Sequence, residues 1–381
     1  MRFLCLTDTE KIEVKPLGFP ITTSFYAQKD IETLTKLVSC WEYGQPAFPV
    51  NPRLNKLPSM PEICNSATLL FTSGSTAEPK IACHSMENYL FSARGTNEVL
   101  SLGSNDRWLL SLPLFHVGGL AILFRCMLAS ATIVLSELPL IDSVLFHQIT
   151  HLSLVPTQLY RLLQEPTYKI EQCARQLKSI LLGGAPIAES LLKKAIDKGF
   201  NIHQTYGLTE MTAQITMDPY PGPLPFRELK IAQDGEILVK GHTLFQGYLN
   251  TPLILDQEGW FATRDLGIWT SSNMLRILGR KDNLFISGGE NIQPEEIESA
   301  LLSLPNIIEA IVVPKMDLEF GMRPIAFIEQ DTKENNFLPI TEMLKKKLPS
   351  YKIPIKFFSF PETSSLKRNR KELFELAQKL D

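Results

Sequence analysis

Short apolar runs bounded by Gly, Pro, Asn and Asp alternate with longer amphipathic stretches over the first half of the chain. The runs at 66–72 and 107–115 read as buried strands, and the apolar spacing of 84–100 and 187–199, each followed by a Gly-containing turn, predicts helices. From about residue 229 the pattern shifts to short strands, LKIA, GEILVKG and MLRILGR, separated by Gly, Asp and Asn turns, which predicts a small β unit. Past Arg280 the pattern predicts a helix from Pro294 (PEEIESALLSL), strands in IIEAIVVP and RPIAFIE, a lysine-rich helix and a terminal helix. The expected architecture is an α/β body over 1–278, mixed sheets with helices plus the small β unit, followed by a smaller α+β unit over 279–381. No internal repeat stands out.

Composition narrows the function. A chain of 381 residues with 44% hydrophobic residues can bury a large core. A net charge of -3 lacks the broad positive field that nucleic-acid and anionic-membrane binders use, so small molecules are the expected partners. Cys5, Cys40, Cys64, Cys83, Cys126 and Cys173 form no C-x-x-C pair, so neither a zinc site nor a disulfide framework is suggested, and reduced cytoplasmic thiols are expected. The start, MRFLCLTDTEKIEV, lacks an apolar core behind a basic segment, and Arg125 interrupts the most apolar stretch, 117–135; neither secretion nor a membrane span is expected.

Chemistry first surfaces in LLFTSGSTAEPKIACHS, residues 69–85. Taken alone, Thr72, Ser73, Gly74, Ser75 and Thr76 read equally as a polar turn or as a phosphate loop. In the second reading small residues let backbone N–H groups converge on an anion, hydroxyls add donors, and Lys80 supplies a point charge suited to a triphosphate. Pro79 before the lysine excludes the G-x-x-x-x-G-K-[ST] loop of kinase-like sites.

Further motifs follow in order: LPLFHVGGL (112–120), SLVPTQLYRLL (153–163), LLGGAPI (181–187), QTYGLTEM (204–211), GWFATRDLG (259–267), LGRKDNLFISGGENIQPEEIE (278–298) and TSSLKRNRKEL (363–373). Together they resemble the adenylate-forming superfamily of acyl-CoA synthetases, luciferases and nonribosomal adenylation domains, from about residue 50 to the end. The resemblance implies the adenylate-forming fold, with a large N-terminal body and a small mobile C-terminal domain. It also implies two half-reactions on one site: a carboxylate attacks the α-phosphate of ATP to give an acyl-adenylate and pyrophosphate, then the thiol of coenzyme A displaces AMP.

The roles of single residues are likewise implied by the resemblance. Thr72, Ser73, Gly74, Ser75, Thr76 and Lys80 match the β/γ-phosphate loop, with Ala77 and Ile81 where the family often has glycines. Gly183, Gly184 and Ala185 match the turn along adenine, where close backbone approach favours glycine. In YGLTEM, Tyr206 stacks on the base beside Gly207, Thr209 contacts the α-phosphate, and Glu210 ligates Mg²⁺. Asp265 and Arg280 match the ribose contacts, Asp282 the hinge residue, and Gly288, Gly289 and Glu290 the coenzyme A side. Lys367 matches the adenylation lysine, although Leu366 stands where glycine is usual.

The acid is addressed by fewer residues. His116 matches the gate between acyl pocket and thiol tunnel. Arg125 in GGLAILFRCMLASATIVL needs a partner or a route to water, and a second carboxylate on the substrate is one such partner, a snorkelling guanidinium the other reading. Ser153, Thr157 and Gln158 are candidates for the same pocket wall. The phosphate loop begins at residue 72, earlier than the family's habit of well over a hundred residues, so a reduced N-terminal subdomain is expected. Three classes stay open at this point: a CoA ligase, another acyl-CoA synthetase or an adenylation enzyme that loads a carrier protein, and a catalytically weakened binding protein. A homo-oligomer is compatible with all three.

Overall fold

The computed structural model describes residues 1–61, 66–72, 80–331, 338–361 and 368–380. Its largest element is an eight-stranded sheet in the order Ala213–Met217, Ile202–Leu208, Ser179–Gly183, His151–Leu154, Arg107–Leu109, Thr132–Val134, Phe3–Leu6, Lys11–Val14. The inner strands run parallel and the two edge strands antiparallel. Alternate side chains go to opposite faces, as a pleated strand requires. Leu109, Leu152, Leu154, Ile180 and Leu182 share one core with helices Pro156–Leu162, Thr167–Gln176 and Glu189–Asp197. Trp108, Leu110, Leu181 and Met217 share the other with helices Ile31–Glu42, Met86–Leu100 and Val117–Ala129.

Several predicted elements differ in extent, and for two of them local chemistry gives the reason. The helix expected over 84–100 starts at Met86, because Ser85 and Asn88 close a reciprocal capping box: Asn88 N donates to Ser85 Oγ at 3.1 Å and Ser85 N to Asn88 Oδ1 at 2.8 Å. The strand expected over 107–115 stops at Leu109. Beyond it Pro113 has no N–H for a ladder, and its carbonyl lies where a Cβ on Gly119 would come within 2.1 Å, so the segment folds back as a tight entry to the next helix. The strands Phe3–Leu6 and Lys11–Val14 were not legible as a pair.

The small β unit is an antiparallel sheet, Arg227–Ile231, Glu236–Gly241, Phe261–Trp269, Leu275–Arg280. A three-stranded sheet joins Thr68–Phe71, Ile81–His84 and Gly247–Tyr248. The C-terminal part opens with a hairpin, Phe285–Ser287 and Glu290–Ile292, whose two turn residues Gly288 and Gly289 have φ of 56° and 86°, as a type I′ turn demands. It continues as the sheet Ile307–Asp317, Gly321–Gln330, Phe357–Ser359, with helices Pro294–Leu302, Leu338–Lys345 and Arg370–Ala377. Ile297, Leu301, Val312 and Ile328 belong to the apolar cluster that also holds Leu159 and Leu162 of the body. Among the described residues no helix is long and apolar enough to cross a membrane.

Candidate functional site

The strand Arg107–Leu109 has Thr132–Val134 on one side and His151–Leu154 on the other, so the chain winds away from it in both directions. Ligands of open α/β sheets bind outside the carboxyl ends of strands at such a switch point. The segments that follow these strands carry the predicted site: 110–116, 155–158, 183–185, and the Tyr206 end of Ile202–Leu208.

On the nucleotide side, Gly183 ends its strand opposite Thr205, and a Cβ there would come within 2.3 Å of Thr205 Oγ1 and 2.6 Å of its carbonyl oxygen. Gly184, at φ 82°, and Ala185 are exposed beyond it. The Tyr206 hydroxyl donates to Asp265 Oδ2 at 2.7 Å, and Arg280 Nη1 lies 3.0 Å from Asp265 Oδ1. Asp265 and Arg280 are directly paired across neighbouring strands, which fixes this contact in the backbone register. Burial raises the Asp265 carboxyl against the opposing pull of Arg280, and burial next to Asp265 pushes the Tyr206 phenol well up, so the phenol stays a donor.

The turn Thr209–Met211 follows, with Thr212 left-handed at φ 52°. Its carbonyls are held from three directions: His84 Nε2 donates to Thr209 O at 2.7 Å, Phe245 N to Glu210 O at 2.8 Å, and Ser92 Oγ to Thr212 O at 2.5 Å. Tyr248 donates its hydroxyl to Glu210 Oε1 at 2.5 Å, and the Lys80 ammonium sits 4.8 Å from the Tyr248 ring centroid. Thr72 and Lys80 flank the segment expected to be the phosphate loop, Thr72 N donating to Lys80 O at 2.8 Å. Ser73, Gly74, Ser75 and Thr76, like Lys367, lie outside the described residues. Glu210 supplies a carboxylate at this end through its bond with Tyr248. Among the described residues no group of three or more His, Cys, Asp or Glu could hold a metal ion by itself. This donor set fits Mg²⁺, which is bound through one or two carboxylates and completes its shell with substrate phosphates and water.

On the acid side, His116 caps helix Val117–Ala129 with its ring 4.6 Å from Phe115. Arg125 is 1% exposed: its Nη2 donates to Gln214 Oε1, its guanidinium lies 5.3 Å from the Trp108 ring, and its Nε has no partner among the described residues. Burial lowers its pKa to about 10. Arg125 therefore does not reach the surface, which removes the snorkelling alternative. Ser153, on the Trp108 face, is buried with a hydroxyl that has no partner among the described residues, while its carbonyl accepts from Ser111 Oγ. Gln158 Nε2 donates to Ser111 O at 3.2 Å, and Thr157 lies beside it in the first turn of its helix.

Asp282 sits in the turn Lys281–Asn283 and accepts from Arg264 Nη2 at 2.6 Å and Nε at 3.1 Å; the Arg264 bonds lead in lowering its carboxyl. Gly288, Gly289 and Glu290 belong to the C-terminal hairpin, where Gly288 N donates to Phe320 O at 2.9 Å. Tyr248, His84 and Gln214 escaped the sequence reading. Only the Gly-Tyr pair before a proline-containing turn could have flagged Tyr248, and the other two have no local signature.

Comparisons with known proteins identify the family. The AMP-binding enzyme model matches residues 27–249, and the AMP-binding enzyme C-terminal domain model matches 296–371. The 2-succinylbenzoate–CoA ligase of Escherichia coli (strain K12) is 37% identical over 324 residues, covering 82% of this chain and 69% of that protein. The chain belongs to the 2-succinylbenzoate–CoA ligase family of AMP-binding enzymes. Its counterpart from Bacillus subtilis (strain 168) is 34% identical over 392 residues, with 95% and 79% covered. Two solved structures of the Bacillus subtilis o-succinylbenzoate-CoA synthetase, MenE, are similar throughout, each at 28% identity and covering 98% of this chain. One holds the acyl-adenylate intermediate OSB-AMP (TM-score 0.82, 95% of that chain), the other ATP and magnesium ion (TM-score 0.81, 96% of that chain). The adenylate-forming architecture expected from the motifs is thus the one observed.

Proposed function

We propose that this chain ligates 2-succinylbenzoate to coenzyme A through an acyl-adenylate, releasing AMP and pyrophosphate, as a cytoplasmic step toward menaquinone. Positioning and charge neutralisation must supply most of the barrier lowering, because the displacement at phosphorus asks little covalent chemistry of the protein. Tyr206, Asp265 and Arg280 hold base and ribose, Gly183 to Ala185 leave room along the adenine, and the phosphate loop with Lys80 takes the triphosphate. Glu210 would hold Mg²⁺, which when bound neutralises charge on the phosphate oxygens. Thr209 faces the α-phosphate, Lys367 approaches the reacting carboxylate, and His116 guards the thiol path. Asp282 lets the segment from 279 onward swing, bringing Gly288, Gly289 and Glu290 to coenzyme A.

The acid's identity rests on one observation: Arg125 is buried and has no carboxylate partner among the described residues. A buried cation of this kind is costly until an anion joins it. 2-Succinylbenzoate has two carboxylates, one activated and one left for Arg125, with Ser153, Thr157 and Gln158 along the same wall. The test compares 2-succinylbenzoate with 4-oxo-4-phenylbutanoate, which lacks the ring carboxylate, in wild type and Arg125→Gln. Losing one partner of a buried charge pair costs about 2 to 5 kcal/mol, so kcat/KM for the dicarboxylate should fall about thirty-fold or more. Equal losses for both acids overturn the assignment of Arg125. Thioester formation only with a carrier protein, and never with coenzyme A, overturns the proposed reaction.

A further inference from the structure

Two buried guanidiniums, Arg125 on helix Val117–Ala129 and Arg227 on the small antiparallel sheet, meet at one residue of the large sheet's edge strand. Arg125 Nη2 donates to the side-chain carbonyl of Gln214, and Arg227 Nε donates to the backbone carbonyl of the same residue at 2.6 Å. The other Arg227 donors go to Pro225 O at 2.8 Å and to Ser92 O and Oγ at 3.0 and 3.1 Å. Every one of these acceptors is neutral. Among the described residues no carboxylate pairs with either arginine, and Arg125 Nε has no acceptor at all. Burial and then the nearby Arg125 lower the Arg227 pKa to about 9, as expected for two cations facing each other in a dry layer.

One substitution would end this arrangement. Glutamate has the length of glutamine and would give Arg125 a counter-ion, yet the chain carries the amide. The place of Gln214 is also fixed with care by the backbone. It lies opposite Gly207, where an added Cβ would come within 2.0 Å of Ala213 O and 2.7 Å of Gln214 Cα, so the two strands touch without intervening side chain. Gln214 is 8% exposed.

We propose that Gln214 is a specificity-determining positioning residue: its neutral carbonyl aims the Arg125 guanidinium while leaving that charge uncompensated, so that the pocket selects an acid bearing a second carboxylate. A monocarboxylate leaves the layer cationic and unmatched, whereas a dicarboxylate supplies the missing anion. This inference rests on the reading that Arg125 faces the acid.

The experiment measures kcat/KM for 2-succinylbenzoate and for 4-oxo-4-phenylbutanoate with the full chain and with Gln214→Glu, together with the melting-temperature shift produced by 2-succinylbenzoate alone. In Gln214→Glu the internal carboxylate pairs with Arg125. The preference for the dicarboxylate should fall at least a hundredfold, turnover of the monocarboxylate should rise, and the thermal shift should vanish. Gln214→Met keeps the shape and the positive charge but drops the acceptor. It should retain the sign of the preference while raising KM for the dicarboxylate several-fold, and it carries the test where Gln214→Glu does not fold. A dicarboxylate preference within threefold of wild type in Gln214→Glu, or equal changes for both acids in Gln214→Met, overturns the proposal. A wild type without preference between the acids overturns the Arg125 reading and this inference with it, which separates the two failures.

Discussion

The Tyr248 hydroxyl donates a 2.5 Å hydrogen bond to the Glu210 carboxylate, and the Lys80 ammonium lies over the same phenol ring, 4.8 Å from its centroid. One side chain therefore joins the proposed metal ligand to the lysine of the proposed phosphate loop. Tyr248→Phe removes only the hydroxyl and frees the Glu210 carboxylate to turn. A hydrogen bond to a charged group contributes about 1.5 to 3 kcal/mol, so Mn²⁺ binding to the enzyme–ATP complex, read by titration calorimetry, should weaken about tenfold or more. Tyr248→Leu also removes the aromatic face, and metal-free ATP binding should then weaken as well. Identical behaviour of the two variants would show that the ring does nothing for Lys80.

Gly207 adjoins the same turn from the other side. Its missing side chain lets the strand Ala213–Met217 approach until a Cβ would stand 2.0 Å from a backbone oxygen, a distance that side-chain rearrangement cannot relieve. Gly207→Ala should therefore displace the Thr209–Met211 turn. We expect a loss of about 2 kcal/mol or more in stability, of the kind that overpacking produces, and a fall in ATP–pyrophosphate exchange beyond what the stability change explains. Wild-type exchange in this variant would mean that the turn tolerates the shift.

The motifs proposed to contact nucleotide were legible because each combines unusual residues at fixed spacing: Gly-Gly after a strand, Thr-Glu after Tyr-Gly, Asp265 in a β run. The groups that hold those residues were not. His84 reaches Thr209 across 125 residues of sequence and Tyr248 reaches Glu210 across 38, contacts that neither periodicity nor a local motif encodes. Arg125 was visible as an anomaly in an apolar helix, but its Gln214 neighbour arises only when the strand Ala213–Met217 closes the edge of the sheet. The N-terminal strands were missed for a similar reason: Phe3–Leu6 gains its meaning from pairing with Thr132–Val134, far along the chain. Short strands at sheet edges carry too few alternations to declare themselves.

His84 offers a pH-dependent signature. Its Nε2 faces a carbonyl, so the neutral ring carries its proton there, and complete burial lowers its pKa from 6.5 to about 4. The unfolded chain then binds a proton before the folded one does. The stability from the neutral ring is fully present above pH 6.5 and is lost as pH falls toward 4, by about 3 kcal/mol at 1.36 kcal/mol per unit. Glu298 acts in the opposite sense, since burial raises its carboxyl to about 7 and stability from that group declines as pH rises from 4.5 to 7. The informative quantity is therefore a difference between proteins. His84→Gln keeps an amide donor for Thr209 O but cannot titrate, so its urea midpoint relative to wild type should improve steadily between pH 6.5 and 4.5. A pH-independent difference would show that His84 does not titrate in this window.

The hinge can be tested through Asp282, which three neighbouring interactions presently restrain. Arg264 holds its carboxylate at 2.6 Å, Arg280 beside it is tied to Asp265, and Lys281 is tied to Asp234 and Glu236 at 2.6 and 2.7 Å. A residue in a 3₁₀ turn has φ near the value that proline imposes, so Asp282→Pro should be accommodated in the present pose and resist leaving it. If the segment from 279 onward must rotate between the two half-reactions, ATP–pyrophosphate exchange with 2-succinylbenzoate should persist while thioester formation falls by an order of magnitude or more. The variant also loses the bond to Arg264, an exposed pair whose contribution to stability is small. Asp282→Ala isolates that loss, because it removes the carboxylate and leaves the backbone free; both half-reactions should then proceed at rates within a few-fold of wild type. A proportional loss of both half-reactions in Asp282→Pro, or an equal loss of thioester formation in Asp282→Ala, would place the pivot elsewhere in the 279–284 segment and leave Asp282 as a surface contact of Arg264.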